Sequence, residues 1–156
     1  MAHTKKSSSS GKNKKSSSKI LKTDFTKNEI VKELLNVLIT VKLYHWNTMS
    51  FPVHKATDDL YSELNALIDN MVEVLLGKQQ SISSKEKNKI LNVKNINVKT
   101  HNSHISFNKF LEEFKQFLSS LNKTFNSNKD TDLLNIRDEM LSSTNKLSYL
   151  LSLTHS

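Results

Sequence analysis

The sequence predicts an all-α fold of four long helices, two helical pairs joined by a long crossover. Three observations carry this. The 156 residues include only two Gly and one Pro, the residues that most often punctuate a chain. Apolar residues recur every three or four positions rather than every second one, which is the period of a helix. Helix-start signals stand just ahead of the apolar runs. The length suits one domain with its own core. The absence of Cys excludes disulfides and thiolate metal sites. No apolar run reaches the roughly 18–20 residues of a membrane span, and the N-terminus lacks the apolar stretch of a secretory signal. A soluble, intracellular protein is expected.

Taken in order, residues 1–23 are Ser, Lys and Asn with seven lysines and no acid. Such a segment cannot bury enough apolar surface to order itself, so a disordered basic tail is expected. The remaining sixteen basic residues and all fifteen acids fall in residues 24–156, so the formal charge of +8 belongs to the tail. Seventeen Asn, and Lys in place of Arg everywhere but Arg137, fit the codon bias of an A/T-rich genome. Thr26-Lys27-Asn28-Glu29 fits a capping box and opens helix A, about 27–48, with Ile30, Leu34, Val37, Leu38 and Val41 on one stripe. Pro52 suits the first turn of helix B, about 52–76. Its predicted core stripe is Leu60, Leu64, Leu67, Met71 and Val74, and Gly77 is placed to end it in a left-handed conformation. Residues 78–105 are polar and weakly patterned, with room for one short helix around 85–92, and are long enough to cross a bundle. Helix C is predicted over 106–125, on Phe107, Phe110, Leu111, Phe114, Phe117, Leu118 and Leu121. Helix D is predicted over 131–153, on Leu133, Ile136, Met140, Leu147, Leu150 and Leu151. This order of elements describes a ferritin-like four-helix bundle.

Helix B carries His54, Asp58, Asp69 and Glu73. At about 100° per residue they share one polar arc of roughly 100°, nearly opposite the predicted core stripe. His54/Asp58 and Asp69/Glu73 are each i, i+4 pairs able to reach one ion. They are separated by roughly 16 Å along the axis, so one ion cannot touch both. Two B helices packed antiparallel about a two-fold axis would set the first pair of one beside the second pair of the other, twice over. His45, late in helix A, is placed to join the His54/Asp58 half. Imidazole with carboxylate suits Fe(II), Mn or Zn. The pattern also fits an ordinary solvated face, with His45 as a packed histidine beside Trp46.

Leu43-Tyr44-His45-Trp46-Asn47, then His54-Lys55-Ala56-Thr57-Asp58-Asp59-Leu60-Tyr61, then Asp69-Asn70-Met71-Val72-Glu73 resemble the signature of Dps-type miniferritins. The resemblance implies a ferroxidase centre in which His45, His54 and Asp58 of one subunit meet Asp69 and Glu73 of a two-fold partner. Trp46 and Tyr61 match aromatic positions near that centre. It further implies iron as the bound metal, two ions per shared site, oxidised by peroxide or oxygen. A hollow dodecameric shell would store the ferric product. Asn135-Ile136-Arg137-Asp138-Glu139-Met140, with the Asn/Lys bias, also resembles ferritin-like proteins of giant DNA viruses. Two features depart from the miniferritin pattern: a shorter turn between His45 and His54, and a Lys-rich crossover.

The tail adds a second expectation. Lys5, Lys6, Lys12, Lys14, Lys15, Lys19 and Lys22 on a flexible arm would neutralise DNA phosphates without reading bases. A shell presenting many arms would bind by avidity. DNA association in a cytoplasm, nucleoid or virion interior follows, against the alternative of a solubilising or targeting tail. Two rival functions stand beside an iron-oxidising, DNA-protecting protein. One is an architectural DNA-compacting protein without fast oxidation. The other is a helical interaction protein whose acidic face binds a partner.

Overall fold

The computed structural model describes residues 24–78 and 83–153, and among these the protein is all-helical, with no strand. Its elements are α1 (Lys27–Asn47), α2 (Phe51–Gly77), α3 (Ser84–Leu91), α4 (His104–Ser120) and α5 (Thr131–Ser152). A short 3-10 turn over Leu121–Lys123 follows α4. The expected tail and its seven lysines lie outside the described residues.

α1 starts as its sequence requires. The Thr26 hydroxyl accepts from the Glu29 amide at 3.2 Å, and the Glu29 carboxylate accepts from the Thr26 amide at 2.9 Å. These two bonds satisfy amides that the first turn leaves without helical partners. The same device, on Ser83 and Glu86, starts α3. α2 ends at Gly77, but not in the expected left-handed conformation. No described glycine has a positive φ, and the helix is closed by the Lys78 amide donating to Val74. The exit is instead fixed by the Lys78 side chain, whose ammonium lies 3.1 Å from Asp130, 3.0 Å from Asp132 and 2.7 Å from the Lys129 carbonyl. Helix C is shorter than expected at its far end, because the backbone tightens at Leu121 and the Thr124 amide bonds back to Leu121.

The core gathers the apolar faces of the four long helices, with Phe107 and Phe114 of α4 among its largest fully buried side chains. Truncating such a ring to Ala costs about 3–5 kcal/mol. The buried stripe of α2 is Val53, Thr57, Leu60, Leu64, Ile68, Met71 and Leu75, so Ile68 and Leu75 replace the expected Leu67 and Val74. α2 packs against both α1 and α5, and a helix pressed from two sides buries a face set between them. On α1, α4 and α5, Leu38, Phe110 and Leu150 are likewise only partly buried, while the other expected core positions are buried.

Side-chain ties set the directions of the helices. Lys27 reaches the Leu75 carbonyl, while His45 meets His54, so α1 and α2 are antiparallel. Tyr44 stacks on Phe107 with ring centroids 3.7 Å apart, and Phe25 meets Phe117 edge-on at 5.2 Å, so α1 and α4 are antiparallel too. Lys78 at the end of α2 holds the start of α5, which makes that pair antiparallel as well. The link from α3 to α4 runs beside α1. Asn28 donates to the Ile90 carbonyl near one end, and Asn47 donates to the His101 carbonyl near the other, both at 2.9 Å. In this link Asn95 has φ 56°, a left-handed conformation that Asn tolerates better than most residues. Arg137 is buried on α5, with one guanidinium nitrogen 3.4 Å from the Leu118 carbonyl. It places a cation at the C-terminal end of α4, where the helix dipole favours one.

Candidate metal centre

The last turn of α1 and the first turns of α2 form a corner closed by residues 48–50. Pro52 stands in the first turn of α2, where its missing amide costs nothing. This corner brings His45 beside two other expected ligands, His54 and Asp58. His45 is buried and its ring stacks on His54, centroids 3.8 Å apart. The two residues exchange bonds: His45 Nδ1 lies 2.9 Å from the His54 carbonyl, and His54 Nδ1 lies 2.9 Å from the His45 carbonyl. A carbonyl only accepts, so each Nδ1 carries the proton in its bond. In the neutral ring Nε2 is then the lone-pair nitrogen, the atom a metal needs. Such a bond from the far nitrogen to a carbonyl is how metal-binding histidines are commonly oriented.

His45 Nε2 lies 3.7 Å from Asp58 Oδ1. Asp58 is half exposed and is also 3.4 Å from the ammonium of Lys42. That ammonium stands 4.4 Å from the centre of the Tyr61 ring and 5.7 Å from that of Trp46. A cation therefore already sits in front of the carboxylate, held by its charge and by two π-faces. Trp46 is two-thirds exposed, and Tyr61 packs partly against the core. Thr57 is fully buried beneath the pair. Its hydroxyl donates to the Val53 carbonyl at 2.8 Å and lies 3.5 Å from His45 Nδ1. Beside His45, Tyr44 is buried, and burial holds its hydroxyl above the ordinary value of 10.0.

Asp69 and Glu73 are not part of this cluster. They stand exposed on α2, and neither side chain bonds or pairs with another described residue. Among the described residues of one chain, no three His, Asp or Glu side chains converge tightly enough to hold an ion. The sequence reading missed Lys42 and Thr57. The signal was available for both, since each lies three residues from a histidine of the pair, the spacing that puts two side chains on one helical face.

Residues 45–151 match the model of DUF5856, a family of unknown function. The chain belongs to this family. The DUF5856 stretch begins at His45 and takes in all five candidate ligands, α2 and everything up to the last turn of α5, while the basic tail falls outside it. No curated protein and no solved structure matches the chain.

Proposed function

We propose that this DUF5856 protein is a Dps-like iron-binding ferroxidase and iron-storage protein, built as a ferritin-like four-helix bundle with a crossover between α2 and α4. The observation that carries the reading is the histidine corner. Two imidazoles are locked with Nε2 as the lone-pair nitrogen, one of them facing the Asp58 carboxylate, on a helix whose second acidic pair stands bare. The antiparallel pairing of α1 with α2 and α4, and of α2 with α5, fits the bundle, as does a link running beside α1.

The substrate is Fe(II), and the mixed nitrogen and oxygen donors suit it. Two copies of α2, antiparallel about a two-fold axis, complete two sites, each with His45, His54 and Asp58 from one subunit and Asp69 and Glu73 from the other. Two Fe(II) ions give one electron each to a peroxide molecule. Its O–O bond breaks and two protons complete two waters. The carboxylates offset the added charge of Fe(III), and a twelve-subunit shell retains the mineral. Full-length protein mixed with Fe(II) and peroxide should oxidise iron quickly, and Asp58→Ala with Glu73→Ala should abolish this without changing helicity. Equal rates in parent and variant would overturn the site assignment.

A second role rests on the tail, where seven lysines and no acid precede Asp24. Non-specific DNA binding through these lysines would protect or compact DNA. Deleting residues 2–22 should abolish gel-shift retention at low salt, and unchanged retention would remove the tail as the binder. DNA retention by parent protein that oxidises iron slowly would favour an architectural protein that keeps the fold alone.

A further inference from the structure

Six of the large apolar side chains exposed on this protein gather at one end of it. They are Trp46, Met49, Phe51, Ile105, Tyr149 and Leu153. That they share an end follows from the ties between elements. Asn47 bonds the His101 carbonyl, a hollow of about 480 Å³ lies between Met49 and His104, and Ala56 of α2 and Leu150 of α5 line one small hollow. The end of α1, the start of α2, the start of α4 and the end of α5 therefore meet here. Phe51 is 78 % exposed, Ile105 84 % and Met49 101 %.

The segments that form this end lack charge. In a chain that is 24 % charged, residues 43–54, 100–108 and 147–153 contain no Lys, Arg, Asp or Glu. These are the three segments that form it. Aromatics and Met enriched, with charge depleted, is the composition of an interface core rather than of free surface. Large aromatics present about 150–250 Å² each, so the six side chains expose on the order of 800 Å². The largest patch on an ordinary monomer is about 300–600 Å², and each side of a stable interface buries about 800 Å².

We infer that this uncharged end is a self-association surface that seats a second copy of the chain. Charge points to a copy as the occupant. Two copies repel wherever their lysines face each other, and the three segments that form this end carry none. The three segments offer a nucleic acid or an acidic protein no cation, and Lys42, beside Trp46, is paired with Asp58. The end also offers both a hollow, with Tyr44 and Val53 among its lining, and the projecting Phe51 and Ile105. A surface with a hollow and a projection can engage copies head to tail and close a ring. His45 and His54 lie in the first of these segments, but Ile105 and Tyr149 belong to α4 and α5, so the end can be altered apart from the metal centre.

The test uses full-length protein in sedimentation velocity and light scattering across micromolar concentrations. Ile105→Glu with Tyr149→Glu replaces two exposed side chains, and circular dichroism checks that helicity persists. The parent should assemble beyond a dimer, and the variant's mass should fall at least about twofold while Co(II) binding is retained. Because the chain has no Cys, Ile105→Cys labelled with pyrene reports this end alone, and assembled protein should show excimer emission. Equal masses for parent and variant, a parent that stays monomeric, or assembly without excimer would each overturn the assignment. So would a monomeric parent that binds phosphatidylcholine vesicles, which would give the end to a membrane surface. Assembly through this end with no metal bound at all would leave the inference standing and sink the iron reading.

Discussion

At its N-terminal end α2 is fastened to α1 by two histidines that bond each other's backbone. At its C-terminal end it is fastened to α5 by a lysine between two aspartates. The difference shows what each fastening leaves over. The lysine clasp uses up its charges: Asp130 also accepts from the Asn126 amide, and the Lys78 ammonium meets both carboxylates and a carbonyl. The histidine corner spends only one nitrogen of each ring, and in the neutral ring the other keeps a lone pair. A structural fastening and a potential ligand set are thus the same side chains at one end of the helix and not at the other. Asp69 and Glu73, between the two ends, have neither role within one chain.

The largest expected effect is on the corner itself. His45→Ala removes a buried ring, its stacking and its bond, and should lower unfolding free energy in urea by about 2–4 kcal/mol. A loss under about 1 kcal/mol would mean that the turn, not the histidines, holds the corner.

Next in size is Lys42. Its ammonium competes for Asp58 with any bound ion, so Lys42→Met should tighten Co(II) binding by about tenfold in calorimetric titration. Unchanged affinity would show that the ammonium swings away at no cost.

The clasp should give a smaller, pH-dependent effect. Hydrogen bonding to Asp132 and Asp130 holds the Lys78 ammonium above its ordinary 10.5. The Asn126 amide and then Lys78 hold Asp130 below 3.8, and Lys78 holds Asp132 below 3.8. Carboxylates with depressed values stabilise the fold above 3.8 and cease to as pH falls through their folded values. Lys78→Met should therefore lower Tm slightly at neutral pH, and the gap to the parent should close under acid. A gap that persists when both carboxylates are protonated would trace the effect to packing.

The smallest effect on stability belongs to the bare pair. Asp69→Asn with Glu73→Gln should change unfolding free energy by no more than about 0.5 kcal/mol, yet reduce the Co(II) bound per chain. Stability and metal binding falling together would show that these carboxylates already act within one chain.

Much of this was legible in one dimension. The Thr26 capping box, the four long apolar periods and Pro52 at the start of α2 are local signals, and the helices formed where they stand. The i, i+4 pairs on α2 were equally readable, because helical spacing alone fixes which side chains share a face. The angular position of a buried stripe was not. Ile68 and Leu75 took the places expected of Leu67 and Val74, since which part of an apolar face is covered depends on where two neighbouring helices press.

The sequence by itself determined helix positions, the uncharged segments and the ligand types, because each follows from residue chemistry or from a period of a few residues. Tertiary structure alone decided that His45 and His54 bond each other, that Lys42 faces Asp58, that Lys78 clasps the start of α5, and that three uncharged segments share one end. Each of these joins residues on different helices or across a turn. Their meeting depends on how helices cross and which way they run, and no local period encodes that.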